Sequence, residues 1–144
     1  MGAFVADVPL RWSDMDVFGH VNHARTVTLL EEARVELLFT EASRRGLLGL
    51  AEGVVVAKLA VDYRAPIAHA AGPLQVRLSV RDLRPASFVI DYSASTSGAP
   101  AVATAETTLV PYDLSAGRPR RLTADEHEFL AEWQLAVAEA GDRA

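Results

Sequence analysis

Polar and charged side chains crowd the stretch between Arg11 and Arg34: Arg11, Asp14, Asp16, His20, Asn22, His23, Arg25, Glu31, Glu32 and Arg34. Asp14-x-Asp16-x-x-Gly19 imitates the opening of a calcium loop, but such a loop needs an oxygen ligand at its fifth position and a glutamate at its twelfth. Phe18 and Arg25 stand there, so calcium is excluded. His20-x-x-His23 with the two aspartates could ligate a transition metal, although histidine pairs in metal-binding helices usually stand one full turn apart. Ser13, His20 and Asp16 could be drawn as a nucleophilic triad, without the strained Gly-x-Ser-x-Gly elbow that exposes such a serine. Singly, Asp14, Asp16 and Asn22 read as turn caps, because these side chains bond their own backbone. As a set placed just before a helix, they put a carboxylate beside unpaired backbone N–H groups, which is what acyl transfer requires.

These groups need elements to hold them. Phe4, Ala6, Val8, Leu10 and Trp12 alternate at period two, so residues 4–12 read as a half-buried strand, with Pro9 marking an edge or bulge. Residues 13–23 follow neither period and read as an ordered loop punctuated by Gly19. From Ala24 to Phe39, Val27, Leu29, Leu30, Ala33, Leu37 and Leu38 spread over more than one helical stripe, which demands cover on several sides. Asn22 or His23 stands at its start, and Asn is a strong cap. A second helical piece is expected from Glu41 to Arg45, stopped by Gly46 and Gly49. Strands follow at Val54–Tyr63, Leu74–Arg81, Phe88–Thr96 and Ala101–Val110, separated by turn chemistry at hairpin spacing. Phe129, Leu130, Trp133 and Val137 then recur at helical spacing from Ala124 to Ala140. One early helix and hairpin-linked strands give an α+β class, an antiparallel sheet wrapped around one long helix. The outer face and free edges of such a sheet favour self-association, so a homodimer or homotetramer is expected.

The 144 residues, half of them apolar, suit one domain over residues 1–144. Fourteen Lys+Arg against nineteen Asp+Glu give a charge of −5, which argues against nucleic acid as a partner, since phosphate neutralisation dominates such affinity. The absence of cysteine excludes disulfides, thiolate metal sites and a cysteine nucleophile. With no secretion-like amino terminus and no run near the ~18 apolar residues of a membrane span, a cytoplasmic protein without a membrane partner is expected.

Arg11-Trp12-Ser13-Asp14-Met15-Asp16-Val17-Phe18-Gly19-His20-Val21-Asn22-His23, followed by Leu30-Glu31-Glu32-Ala33-Arg34, resembles the hot-dog-fold acyl-CoA thioesterases of the 4-hydroxybenzoyl-CoA thioesterase-like group. Asp62-Tyr63-Arg64-Ala65-Pro66 and Asp113-Leu114-Ser115-Ala116-Gly117-Arg118-Pro119 extend the resemblance over nearly the whole chain. It implies a helix wrapped by an antiparallel sheet, dimers whose sheets join, and active sites at the subunit boundary. It also implies that the catalytic carboxylate is Asp16 and that the oxyanion donor is the backbone N–H of His23 or its neighbour Asn22. Many members carry an aromatic residue where Thr26 stands and Tyr where Asn22 stands, so the shape of the substrate pocket does not transfer.

Hydrolysis of an acyl-CoA to acid and coenzyme A is therefore the expected activity, coenzyme A being part of the substrate and no cofactor being needed. Asp16 would act as general base or as nucleophile. Asp14 reads as a loop organiser, Glu31 and Arg34 as a structural i, i+3 pair, and Tyr63 and Trp133 as core or interface residues. Lys58 is the only lysine, and Arg grips phosphate with a rigid fork, so Arg64, Arg81, Arg84 and Arg118 are candidates for holding the coenzyme. The acidic total favours coenzyme A over an acidic acyl carrier protein. A hot-dog enoyl-CoA hydratase or dehydratase, using His20 or His23 with Asp16, and a non-catalytic acyl-CoA-binding protein are the alternatives.

Overall fold

The computed structural model describes residues 2–135. β1 (Phe4–Val8) leads through a 3-10 turn at Trp12–Asp14 and a loop to α1 (His23–Val35). A π-helical segment (Glu36–Glu41) and α2 (Ala42–Arg44) continue the same helical run, and α3 (Gly49–Glu52) follows. Then come β2 (Val54–Tyr63), β3 (Leu74–Arg84), β4 (Ser87–Thr96), β5 (Ala103–Asp113), β6 (Arg118–Pro119) and α4 (Ala124–Ala131). The strands form one antiparallel sheet in the order β1-β3-β4-β5-β2, with β6 beside β5.

Alternation builds the core. Leu74, Val76, Leu78 and Val80 of β3, Phe88, Ile90, Tyr92 and Ala94 of β4 and Leu109 of β5 turn inward, where they meet Leu29, Leu30, Ala33, Leu37 and Leu38 of the helix. Burying such side chains stabilises by roughly 1.5–3 kcal/mol each. This is the hot-dog architecture expected from the sequence. No helix among the described residues is long and apolar enough to cross a membrane.

Several boundaries differ from the sequence reading. The first strand stops at Val8, before Pro9, and the chain turns at Trp12, which is 82% exposed and so does not continue the inward row. The two expected early helices are one, because the π segment bridges them; Ala42 N–H donates to the Leu37 carbonyl, five residues back. The run ends where expected, at Gly46, whose φ of +82° closes a Schellman turn with Leu47 N–H bonded to the Ala42 carbonyl. Thr123 and Glu126 cap α4 reciprocally. That helix stops at Ala131 because the chain then runs along β3, Val80 N–H donating to the Trp133 carbonyl. Val137 lies outside the described residues.

β2 is bounded by a close approach: the Gly53 carbonyl accepts from Tyr112 N–H at 2.9 Å, and a Cβ on Gly53 would collide with the Tyr112 carbonyl oxygen. Gly53→Ala is expected to destabilise the protein by about 1–3 kcal/mol, as overpacking against backbone does. Chemical denaturation with an unchanged midpoint would contradict this.

Candidate active site

Residues 14–16 and 20–22 pair as a miniature antiparallel ribbon. Asn22 N–H donates to the Asp14 carbonyl at 2.8 Å, Met15 bridges Val21, and Asp16 N–H donates to the His20 carbonyl at 2.8 Å. The ribbon is fastened to the domain on its other side, where Val21 N–H donates to the Ile67 carbonyl and His20 bridges Ala68. Its tip is a turn from Asp16 to Gly19, with Gly19 at φ +79°, a conformation that favours glycine. Asp16 organises this turn itself. Its Oδ1 accepts from Phe18 N–H at 2.8 Å and from His20 N–H at 3.3 Å, whereas Oδ2 has no partner among the described residues. Val17 and Phe18, flanking it, are 94% and 79% exposed.

Asp14 is the buried member of the aspartate pair, at 1% exposure, and is indeed a loop organiser. Arg11 grips it with Nε and Nη2 and with its backbone N–H, at 3.0–3.2 Å. Burial pushes the Asp14 carboxyl up, but the Arg11 hydrogen bonds and charge outweigh it and hold the group below the usual carboxylate range.

The helix begins directly after this ribbon. Asn22 is its N-cap, Oδ1 accepting from Ala24 N–H at 2.9 Å. Of the two candidate oxyanion donors, the Asn22 N–H donates to the Asp14 carbonyl. The N–H groups of His23 and Arg25 find no acceptor among the described residues. Tyr63, expected in the core or an interface, is half-exposed and stands beside the helix start: its Oη donates to the His23 carbonyl at 2.6 Å and its ring meets the His23 ring edge-on. Burial pushes the Tyr63 phenol up, so it remains a donor at neutral pH. The spacing of motifs gave no hint of this contact, which joins residues 40 positions apart. No group of three or more His, Asp or Glu side chains able to hold a metal gathers among the described residues.

Residues 10–134 match the profile of the thioesterase-like superfamily. The chain belongs to that family. A thioesterase from Thermus thermophilus, solved with coenzyme A and Zn, is 26% identical with a TM-score of 0.74 over 90% of this chain and 93% of its own. The probable thioesterase YbaW from Escherichia coli is likewise 26% identical, TM-score 0.74, over 90% and 97%. A 1,4-dihydroxy-2-naphthoyl-CoA thioesterase from Synechocystis, at 20% identity and TM-score 0.76 over 91% and 97%, shares the fold. A comparison with curated proteins finds no match. The molecule is thus a hot-dog thioester hydrolase.

In this thioesterase the candidate coenzyme arginines do not converge. Arg81 is committed to its own sheet, bonding Asp91 with Nε and Nη2 and pairing with Glu106 and Asp82; these acidic neighbours, Asp91 foremost, raise its pKa further. The expectation that it holds phosphate gains no support from this arrangement. Arg64 follows β2, with its N–H on the Val102 carbonyl at the ribbon's end of the sheet. Arg84 and Arg118 are exposed at the opposite end, a strand length of about 35 Å away. Glu31 and Arg34 form the structural pair expected of them, at 3.3 Å.

Proposed function

We propose that this thioesterase hydrolyses acyl-CoA, with Asp16 and the His23 N–H as its working groups. The carrying observation is the division of labour within Asp16: Oδ1 is held by two N–H groups of its turn and Oδ2 is left open, while the strand that pairs with Asp16 at His20 runs straight into the open N-terminus of α1. His23 N–H, at the positive end of α1, would bond the carbonyl oxygen as it gains charge; losing one such donor typically costs about 2.7–4 kcal/mol of barrier. Oδ2 would take a proton from water as the water oxygen attacks the carbonyl carbon. The C–S bond then breaks, and the coenzyme thiolate leaves with that proton. Alternatively Oδ2 attacks the carbon itself, expelling the thiolate, and water opens the resulting anhydride. Release of thiol from acyl-CoA, followed with a thiol-reactive dye, tests the activity. Under single turnover in heavy-oxygen water, label found in Asp16 establishes the anhydride route, because only an anhydride opened at the enzyme's carbonyl leaves it there.

The active unit in this reading is a homodimer joined through β2. That strand is ten residues long, lies at the sheet edge, and exposes Val55, Val56, Leu59 and Tyr63. Such an edge invites another strand. Antiparallel pairing of β2 with its own copy sets the Arg118 end of one chain beside the Arg64 end of the other. Both would then flank one coenzyme, which is bound in the Thermus thermophilus relative.

Tyr63 is a positioning residue in this scheme, since its Oη steadies the first peptide of α1. Tyr63→Phe is expected to lower kcat about 10- to 100-fold while leaving KM within a few-fold, the effect of a small misplacement at the reacting centre. An unchanged kcat would leave Tyr63 a packing residue.

A further inference from the structure

A continuous chain of polar groups runs through the apolar core between α1 and the sheet. Arg34, whose side chain is 15% exposed, donates from Nη1 to Tyr92 Oη at 3.4 Å, and Tyr92 Oη lies 2.8 Å from Thr107 Oγ1. Tyr92 of β4 and Thr107 of β5 are both buried, with Leu78 and Ile90 as their cross-strand partners. The direction of the chain follows from its donors. A guanidinium only donates, so Tyr92 Oη accepts from it and its own O–H is left to donate to Thr107. Burial pushes the Tyr92 phenol up, which keeps that hydrogen in place at neutral pH. A phenylalanine and a valine would fill the same space without taking two hydroxyls out of water, and such paired replacements are often neutral or stabilising. What the hydroxyls add is direction.

Apolar contact is non-directional and lets a helix slide by small amounts, whereas a hydrogen bond specifies where its partner stands. Hydrogen bonds join α1 to the sheet near both of its ends. Tyr63 of β2 donates to the His23 carbonyl at the start, and Arg34, in the last turn before the π segment, meets Tyr92 of β4. These two points lie about 16 Å apart along the axis. A helix is stiff lengthwise, so whatever sets its axial position at Arg34 also sets it at His23. Asp16 takes its place from the ribbon fastened at Ile67 and Ala68, so a slip of α1 would change the geometry between the two. Resting on the thioesterase reading above, we propose that Tyr92 and Thr107 are positioning residues: through Arg34 they fix the axial position of α1, and so the distance from the His23 N–H to Asp16 Oδ2. Arg34 also lines a cleft between α1 and the start of β2, which Tyr92 and Thr107 do not, so the test is made at the latter two.

Tyr92→Phe is expected to lower kcat for thiol release about three- to tenfold, by the same factor for an aliphatic and an aromatic acyl-CoA, with KM within about twofold. Thr107→Val leaves the phenol O–H with no acceptor and is expected to act in the same direction, while Thr107→Ser keeps the hydroxyl and the native kcat. With heavy nitrogen in the four histidines, nuclear magnetic resonance reads the helix start directly. The His23 amide signal is expected to shift in Tyr92→Phe and Thr107→Val and to stay in place in Thr107→Ser, while the signal of His127 on α4 stays put in all three. In the double variant Tyr92→Phe, Tyr63→Phe, the loss in kcat is expected to differ from the product of the single losses by at least about threefold, because two pins on one rod couple where separate distant sites would add. An unmoved His23 amide, an unchanged kcat, or single losses that simply multiply overturn the assignment. So does a loss confined to KM or differing between acyl groups, which would place the effect in substrate contact instead. If Tyr92→Phe does not fold, the two Thr107 variants decide by the same amide signal and kcat. Failure of the native protein to release thiol from every acyl-CoA would instead defeat the thioesterase reading, while the amide signal would still report whether Tyr92 and Thr107 hold α1 in place.

Discussion

Asp16→Asn is expected to lower kcat by about 10²- to 10⁴-fold, the contribution of a positioned acid or base, without unfolding the loop. The isosteric amide isolates chemistry from structure. Its carbonyl oxygen still accepts from Phe18 and His20, as Oδ1 does in the native chain, so the turn closed by Gly19 persists. What is lost is the second oxygen, the one with no partner among the described residues, replaced by an NH2 that neither accepts a proton nor attacks a carbonyl. Thiol release and circular dichroism on the same sample decide the matter. A variant with near-normal turnover removes Asp16 from the mechanism. Asp14→Asn has a different signature, because Asp14 is buried beneath Arg11 and organises the ribbon, so its loss shows first as lowered stability.

The second large effect concerns the edge strand. Val56→Lys with Leu59→Lys places like charges along β2 where two copies would meet, the device by which natural sheets blunt their edges. The double variant is expected to be monomeric by light scattering, to retain its far-ultraviolet spectrum, and to lose roughly 10²-fold or more in kcat, because an oxyanion donor is strong only where water is kept away. In the single chain the groups around the site are exposed, His23 and Phe18 among them. A native protein that is monomeric at assay concentrations, or a monomeric variant that is fully active, would refute the shared site.

Much of this molecule is legible in the order of its residues. Alternation in β3 and β4 and the apolar breadth of α1 reveal the architecture, because core burial obeys the same periods that sequence displays. The compact run from Asp14 to Asn22 carries its own turn and cap chemistry, so the polar ribbon is visible as a local event. What stays hidden depends on chain return. Tyr63 reaches His23 only because β2 ends where α1 begins, and Arg81 is satisfied by acids on two other strands, Asp91 of β4 and Glu106 of β5. Trp12 continues the alternation on paper, but Pro9 intervenes and the backbone turns before it.

The π segment at Glu36–Glu41 fixes a matter of phase. Each residue of an α-helix advances about 100° around the axis, so one residue more or fewer there re-aims everything downstream by that angle. Arg45, just beyond, lies over the rings of Phe129 and Trp133 and pairs with Glu132, tying the helical run to the far end of the chain. A single-residue deletion between Glu36 and Glu41 would straighten the helix and swing Arg45 away from those rings. Chain length in this stretch is therefore under tighter constraint than residue identity, and insertions or deletions tolerated in the exposed turn at Ser97–Pro100 would not be tolerated there.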